Sequence, residues 1–174
     1  MHDLRRRDLL KLGSHGAAAG TAALAGLGAP QASHARSGGV LLPYPERVVG
    51  RAATLEVGSP VSFSYPDAAS PCVLLKLGRA APGGVGPAED IVAYSALCTH
   101  QGCPVAYDPR ARTFKCPCHF SIFDPEKGGQ QVCGQATESL PQVVLEYDGE
   151  QDRVTAVSVQ GLIYGRVCNV LDEG

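Results

Sequence analysis

Two short segments hold most of the cysteine and histidine chemistry of this chain. Residues 98–105 read CTHQGCPV and residues 116–124 read CPCHFSIFD, and together they contain four of the seven cysteines. Three of the five histidines lie within the first 34 residues, and the other two, His100 and His119, lie in these segments. Thiolates and imidazoles are the ligands of zinc and of iron–sulfur centres. The fold must therefore bring both segments to one metal centre.

The ligand pattern is Cys98-x-His100 and Cys116-x-x-His119. Two thiolates and two imidazoles could close a tetrahedral zinc site, or hold a [2Fe–2S] cluster with cysteines on one iron and histidines on the other. A second pair, Cys103 and Cys118, is not needed by a four-ligand zinc site. In an oxidising compartment, a disulfide between these two cysteines is chemically reasonable. These features favour the cluster over zinc.

The N-terminal segment has the composition of an export signal. Residues 4–11, LRRRDLLK, are basic, residues 12–30 are rich in alanine and glycine, and a small-x-small site follows at residues 33–35. Residues 6–11 resemble the twin-arginine signal, with Leu9 where phenylalanine is more usual. We expect residues 1–35 to direct export of the folded chain to the periplasm.

A weak transmembrane anchor is the alternative interpretation of the same segment. Residues 12–30 approach the length that spans a bilayer, but glycine, serine and His15 dilute their hydrophobicity. The whole chain has a net charge of −2, so no general electrostatic argument favours nucleic acid or an anionic membrane as a partner.

The remaining chain, residues 36–174, is predicted to be one all-β domain. Glycine and proline are frequent, and no window shows the 3.6-residue period of an amphipathic helix. The apolar run at 72–78 is continuous, which predicts a central strand, and the turn-rich stretch 128–142 predicts loop. Strands are predicted around 47–55, 61–66, 72–78, 91–97, 112–116, 143–148 and 153–159, the last two as a hairpin.

The pair CTHQGC and CPCHFS resembles the paired motif of Rieske iron–sulfur proteins. The resemblance implies an antiparallel β-sandwich or barrel with a small cluster-binding subdomain at about 94–137, displaying two metal loops. It implies that Cys98 and Cys116 bind one iron of a [2Fe–2S] cluster, that His100 and His119 bind the other, and that Cys103 and Cys118 form the disulfide of the high-potential subgroup. The histidines are then expected near the surface, where they can pass electrons and lose a proton on oxidation.

Two residues are expected to tune the reduction potential. Ser121 matches the serine that donates a hydrogen bond to a bridging sulfide in high-potential members, and such bonds raise the potential. Phe123 stands where those members often carry a tyrosine that bonds a cysteine sulfur. Phe120 departs from the glycine that usually follows the second histidine. We expect a positive potential below that of respiratory-chain Rieske proteins.

Beyond the motif, residues 70–105, 128–148 and 161–171 look like the small subunit of bacterial arsenite oxidase. That resemblance implies a periplasmic heterodimer whose large subunit carries a molybdopterin centre and a [3Fe–4S] cluster and oxidises arsenite to arsenate. This chain would pass the electrons to a cytochrome c or an azurin-like copper protein. No residues form a hydrolytic or transfer active site, so the chain is predicted to be an electron carrier.

Several alternatives stay open. The small subunit of iodate reductase is of the same kind, with electrons running the other way. A Rieske subunit of a cytochrome bc complex would need a firmer membrane helix and hinge than residues 12–39 offer. A Rieske ferredoxin would normally be cytosolic and lack Cys103 and Cys118, and a zinc-stabilised binding module would be colourless.

Some residues have no assigned role at this stage. Cys72, Cys133 and Cys168 are interpreted as buried or unpaired thiols, with a second disulfide between two of them as the alternative. Tyr164, Gly165 and Arg166 fit either a docking segment or a structural turn. The basic residues between the two loops, Arg110, Arg112 and Lys115, are interpreted as a solvated face.

Overall fold

The computed structural model describes residues 44–166, which form ten strands and two short 3₁₀ helices. The expected export signal at 1–35 and Cys168 lie outside these residues. The 3₁₀ helices cover Ala52–Thr54 and Pro125–Lys127. The strands are β1 (Arg47–Gly50), β2 (Val61–Ser64), β3 (Pro71–Lys76), β4 (Ile91–Ser95), β5 (Ala106–Asp108), β6 (Thr113–Lys115), β7 (Ile122–Asp124), β8 (Gln130–Cys133), β9 (Gln142–Asp148) and β10 (Arg153–Gln160).

Six strands form an antiparallel base sheet in the order β1-β10-β9-β4-β3-β2. The guanidinium of Arg47 on one edge strand donates a hydrogen bond to the carbonyl of Ser64 on the other edge strand, at 2.5 Å. This bridge brings the two edges together, so the sheet is nearly a closed barrel. The predicted all-β fold is confirmed.

Strands β3 and β4 explain why the sequence there is continuously apolar. Val73 and Leu75 of β3 are buried on one face of the base sheet, and Cys72 and Leu74 are buried on the other. Each face covers its own hydrophobic cluster, so both sets of alternating positions must be apolar. The β3 strand has partners on both sides, as its sequence predicts.

The other four strands form a small antiparallel sheet in the order β5-β6-β7-β8. This sheet is inserted between β4 and β9 and lies within the predicted range 94–137. The Tyr94 hydroxyl donates to the carbonyl of Pro125 at 2.8 Å, and Arg112 donates to the carbonyl of Leu77 at 2.6 Å. Both bonds tie the small sheet to the base sheet.

The structure corrects several local predictions. The strand expected at 47–55 ends at Gly50 and gives way to a 3₁₀ turn. Strands β5, β7 and β8 were not predicted, because three or four residues are too few to show a period and the cysteine loops interrupt them. The β9–β10 hairpin is confirmed. Within the described part of the chain, no helix is long and apolar enough to span a membrane.

Candidate metal centre

The first cysteine loop joins β4 to β5 and closes tightly on its own backbone. The N–H of Cys98 donates to the carbonyl of Cys103, and the N–H of Gly102 donates to the carbonyl of Cys98, both at 2.8 Å. Gly102 has a φ of 73°, in the left-handed region that favours glycine. The backbone of residues 98–103 therefore turns back on itself, and His100 lies within this turn.

The second loop joins β6 to β7 and repeats this hydrogen-bond pattern. The N–H of Cys116 donates to the carbonyl of Ser121 at 2.8 Å, and the N–H of Phe120 donates to the carbonyl of Cys116 at 3.1 Å. Phe120 has a φ of 61°, so it takes the left-handed conformation that Gly102 takes in the first loop. Its side chain is 76% exposed. A bulky residue thus accepts backbone strain while its apolar ring faces solvent.

The four predicted ligands converge in two pairs. The Nδ1 atoms of His100 and His119 lie 3.1 Å apart, with ring centroids 4.6 Å apart and the rings perpendicular. Cys98 and Cys116 are buried, and their thiols are in hydrogen-bonding contact. Of the two rings, His119 is exposed and His100 is half-buried. The histidines therefore lie nearer the surface than the cysteines, as expected.

The surroundings of Cys98 act on the charge of its thiol in two directions. Burial, together with the neighbouring Cys116 thiol, raises the pKa of the Cys98 thiol overall, whereas hydrogen bonds from the His100 N–H and the Ser121 hydroxyl act to lower it. Those donors stabilise negative charge on the sulfur. A set of two buried sulfurs and two paired imidazole rings nearer the surface fits the mixed ligation of a Rieske cluster.

A disulfide joins the two loops. Cys103 and Cys118 are bonded, with Cα atoms 6.6 Å apart. The Sγ of Cys116 lies within 4.8 Å of both disulfide sulfurs. The disulfide removes these two thiols from any ligand set, and Cys98 and Cys116 remain as the free thiols of the loops.

A third segment, residues 134–140, supports both loops and was missed in the sequence. The hydroxyl of Thr99 donates to the carbonyl of Glu138 at 2.6 Å, and the N–H of Ala136 donates to the hydroxyl of Ser121 at 3.0 Å. A Cβ on Gly134 would lie 2.4 Å from the Cα of Ser121. The turn-rich composition of this segment was the available signal, but composition does not say what a turn contacts.

The two predicted tuning residues lie beside the cysteines. Ser121 is fully buried and its hydroxyl contacts both Cys98 and the N–H of Ala136. Phe123 is fully buried in the cluster of apolar residues that includes Cys98 and Cys116, opposite Phe114 on β6.

The basic residues between the loops are more ordered than a solvated face. Arg112 pairs with Glu126 at 2.6 Å, and Lys115 pairs with Asp108 at 2.7 Å. Asp108 also accepts from the N–H of Arg110. The hydrogen bond from Lys115, together with backbone N–H donors, lowers the pKa of Asp108 to about 2.

The remaining described cysteines are free. Cys72 is buried, where its thiol donates to the carbonyl of Tyr65 at 3.4 Å, while Cys133 is exposed on β8. The second disulfide considered from the sequence does not form between these two residues.

Comparison with known proteins agrees with this geometry. Residues 47–144 match the Rieske [2Fe-2S] domain family. The chain therefore belongs to the Rieske [2Fe–2S] family, whose domain binds a [2Fe–2S] cluster, and its strands and Cys/His loops are those of a Rieske electron-transfer protein.

Among its relatives is the iodate reductase subunit IdrB of Denitromonas iodatirespirans, which is 44% identical over 129 residues, 72% of this chain and 69% of the relative. The cytochrome bc1 complex Rieske iron-sulfur subunit of Streptomyces lividans is 43% identical over 63 residues, 36% of this chain and 37% of that subunit. The crystal structure of the soluble domain of Rieske protein II (soxF) from Sulfolobus acidocaldarius superposes with a TM-score of 0.63 and 25% identity, covering 71% of this chain and 82% of that one.

Proposed function

We propose that this chain is the electron-transfer subunit of a molybdenum-containing arsenite oxidase. Cys98 and Cys116 hold one iron of its [2Fe–2S] cluster, and His100 and His119 hold the other. The observation that carries the cluster assignment is the pairing of donors: two buried thiols in contact, and two imidazole Nδ1 atoms 3.1 Å apart. When bound, the cluster supplies a centre that gains and loses one electron.

The residues of the chain perform the rest of the function. The buried thiols and the apolar cluster around Phe123 exclude water from one side of the centre. The disulfide and the third segment hold the two loops at a fixed distance. His119, the exposed member of the histidine pair, lies where a docked protein could approach the cluster, and neutral imidazoles in place of thiolates would raise its reduction potential.

The proposed partner is a large subunit with a molybdopterin centre and a [3Fe–4S] cluster. That subunit oxidises arsenite to arsenate, and this chain relays the electrons to a periplasmic cytochrome c or an azurin-like acceptor. Support comes from the resemblance of residues 70–105, 128–148 and 161–171 to arsenite oxidase small subunits. Export through the twin-arginine signal of residues 1–35 belongs to the same proposal, because a cluster is inserted before that pathway carries the folded chain.

A second candidate is the small subunit of an iodate reductase. The similarity to the IdrB subunit over 72% of this chain favours it, and electrons would then run toward the large subunit. The cytochrome bc1 subunit matches a segment of this chain about half as long as the one that IdrB matches. This difference supports a role outside a cytochrome bc complex.

The test is purification of the tagged chain from the periplasm of its own host. We expect iron, a Rieske spectrum and a molybdenum-containing subunit that reduces cytochrome c when arsenite is added. The matched control is Cys98→Ser, which should lose the spectrum and the arsenite-dependent reduction together. Turnover with iodate alone would transfer the assignment to iodate reductase. A zinc-loaded, colourless chain would refute the cluster assignment itself.

A further inference from the structure

The last described residues of the chain contact the first cysteine loop. Residues 163–166, here called the C-terminal strap, run from Ile163 to Arg166. Ile163 is 5% exposed, so the strap begins in the protein core. The backbone of Gly165 then passes directly against the backbone of Gly102 in the cluster loop.

This contact excludes a side chain on Gly102 and leaves little room for one on Gly165. A Cβ on Gly102 would lie 2.4 Å from the Cα of Gly165, and a Cβ on Gly165 would lie 3.2 Å from the Cα of Gly102. Both residues have left-handed backbones, with φ of 73° and 76°. The methyl of Leu97, one residue before Cys98, lies 3.5 Å from the Cβ position of Gly165. The strap therefore touches the loop on both sides of its predicted ligands.

Arg166 fastens the end of the strap. Its guanidinium pairs with the carboxylate of Asp67 at 2.7 Å and donates to the hydroxyl of Ser70 at 2.8 Å. The Arg166 side chain is only 13% exposed and Ser70 is buried, so water competes weakly for these groups. Asp67 also accepts from the N–H of Ala69 and the hydroxyl of Ser70 through its other oxygen. The turn at 67–70 therefore has hydrogen bonds of its own in addition to those with Arg166.

We propose that the C-terminal strap is a positioning element of the metal centre, with Arg166 as the positioning residue. By pinning Gly165 against Gly102, it holds the backbone between Cys98 and Cys103 and so orients His100. This inference rests on the proposed ligation of the cluster by the first loop. It assigns Gly165 and Arg166 to positioning of that loop, not to docking of a partner.

The test compares four variants of the full chain purified with its cluster. Arg166→Ala removes the fastening, Arg166→Lys keeps a charge for Asp67, and Gly165→Ala inserts a methyl between strap and loop. Arg153→Ala is the matched control, since Arg153 pairs with Asp148 at 3.4 Å at the β9–β10 hairpin. The readouts are the electron paramagnetic resonance spectrum of the reduced cluster and the rate at which its visible absorbance is lost on warming.

We expect Arg166→Ala and Gly165→Ala to broaden the spectrum and to lose the cluster roughly threefold to tenfold faster than the wild type. Arg166→Lys should keep most of the wild-type spectrum and rate of cluster loss. Arg153→Ala should leave both unchanged. A wild-type spectrum and rate in both Arg166→Ala and Gly165→Ala would overturn the proposal, even if the melting temperature fell. If Arg166→Ala does not fold, Gly165→Ala decides by the same criteria. A wild-type chain without a Rieske spectrum would instead refute the proposed function.

Discussion

Thr99 and Glu138 are joined by a hydrogen bond of 2.6 Å from the threonine hydroxyl to the glutamate carbonyl, although they lie 39 residues apart in the chain. Thr99 follows Cys98 and precedes His100 in the sequence, and its side chain is buried. This one bond ties the first cysteine loop to the third segment, and an equivalent bond from Ala136 to Ser121 ties the second loop to it. The candidate metal centre is therefore supported by three segments, of which two carry the predicted ligands.

The Thr99 bond predicts a stability effect. Thr99→Val keeps the shape of the side chain but removes the donor, so the free energy of unfolding should fall by about 0.5–1.5 kcal/mol, the net contribution of one hydrogen bond. Urea unfolding measures the change. Thr99→Ser keeps the hydroxyl and should retain most of the wild-type stability. Equal stability of the valine variant and the wild type would contradict the role assigned to this bond.

Removing the disulfide should destabilise the chain. Cys103 and Cys118 are 15 residues apart, and a cross-link over that length contributes about 3 kcal/mol by restricting the unfolded chain. The double variant Cys103→Ser/Cys118→Ser should lower the free energy of unfolding by that amount in urea titrations. As a control, reduction of the wild-type disulfide should give the same loss. A reduced chain that stays as stable as the oxidised one would count against the prediction.

The two tuning residues predict opposite shifts of the reduction potential. Ser121→Ala removes a hydroxyl that contacts Cys98, so the potential should fall, because hydrogen bonds to the sulfurs stabilise the reduced, more negative state. Phe123→Tyr adds a hydroxyl in the buried cluster shared with both cysteines, and the potential should rise. Redox titration followed by circular dichroism measures both. An unchanged potential in both variants would refute this account of tuning.

Replacing Phe120 with glycine should stabilise the folded chain. A left-handed backbone costs a non-glycine residue about 1–2 kcal/mol, and the exposed ring recovers little of that by burial. Phe120→Gly should raise the free energy of unfolding by up to about 1 kcal/mol, since the greater freedom of glycine in the unfolded chain offsets part of the gain. Phe120→Ala, which keeps the strain, should not. If the ring contacts the electron-transfer partner, Phe120→Gly should also slow electron transfer without changing the potential.

Alkaline pH should weaken the fold through Cys72. Burial raises the pKa of this thiol from 9.0 to about 12, so the folded state keeps a proton that the unfolded state releases. The resulting stabilisation is complete below pH 9 and is lost as pH rises toward 12, at about 1.4 kcal/mol per pKa unit. The stability advantage of the wild type over Cys72→Ala in urea should therefore shrink between pH 9 and 11. An advantage independent of pH would show that Cys72 ionises freely in the folded chain.

Much of the centre could be predicted from local sequence. The ligand set rests on residue types at short spacing, and in residues 36–174 the only histidines are His100 and His119. The continuous apolar run of β3 predicted burial on both faces, and it occurs because the base sheet covers a different apolar cluster on each side. Such features depend on chemistry and on neighbours along the chain.

Contacts between distant segments required the tertiary structure. Phenylalanine itself does not predict a left-handed backbone at position 120, although the glycine usual there in the family was a hint; the hydrogen bond to Cys116 and the close packing of Gly134 impose it. Likewise, Arg166 meets Asp67 only because the fold brings residues 163–166 back to the turn at 67–70. The sequence by itself determined which groups can bind a [2Fe–2S] cluster, because ligand chemistry resides in single side chains. The tertiary structure decided what holds those groups in place, because loop geometry is a sum of contacts made across the whole chain.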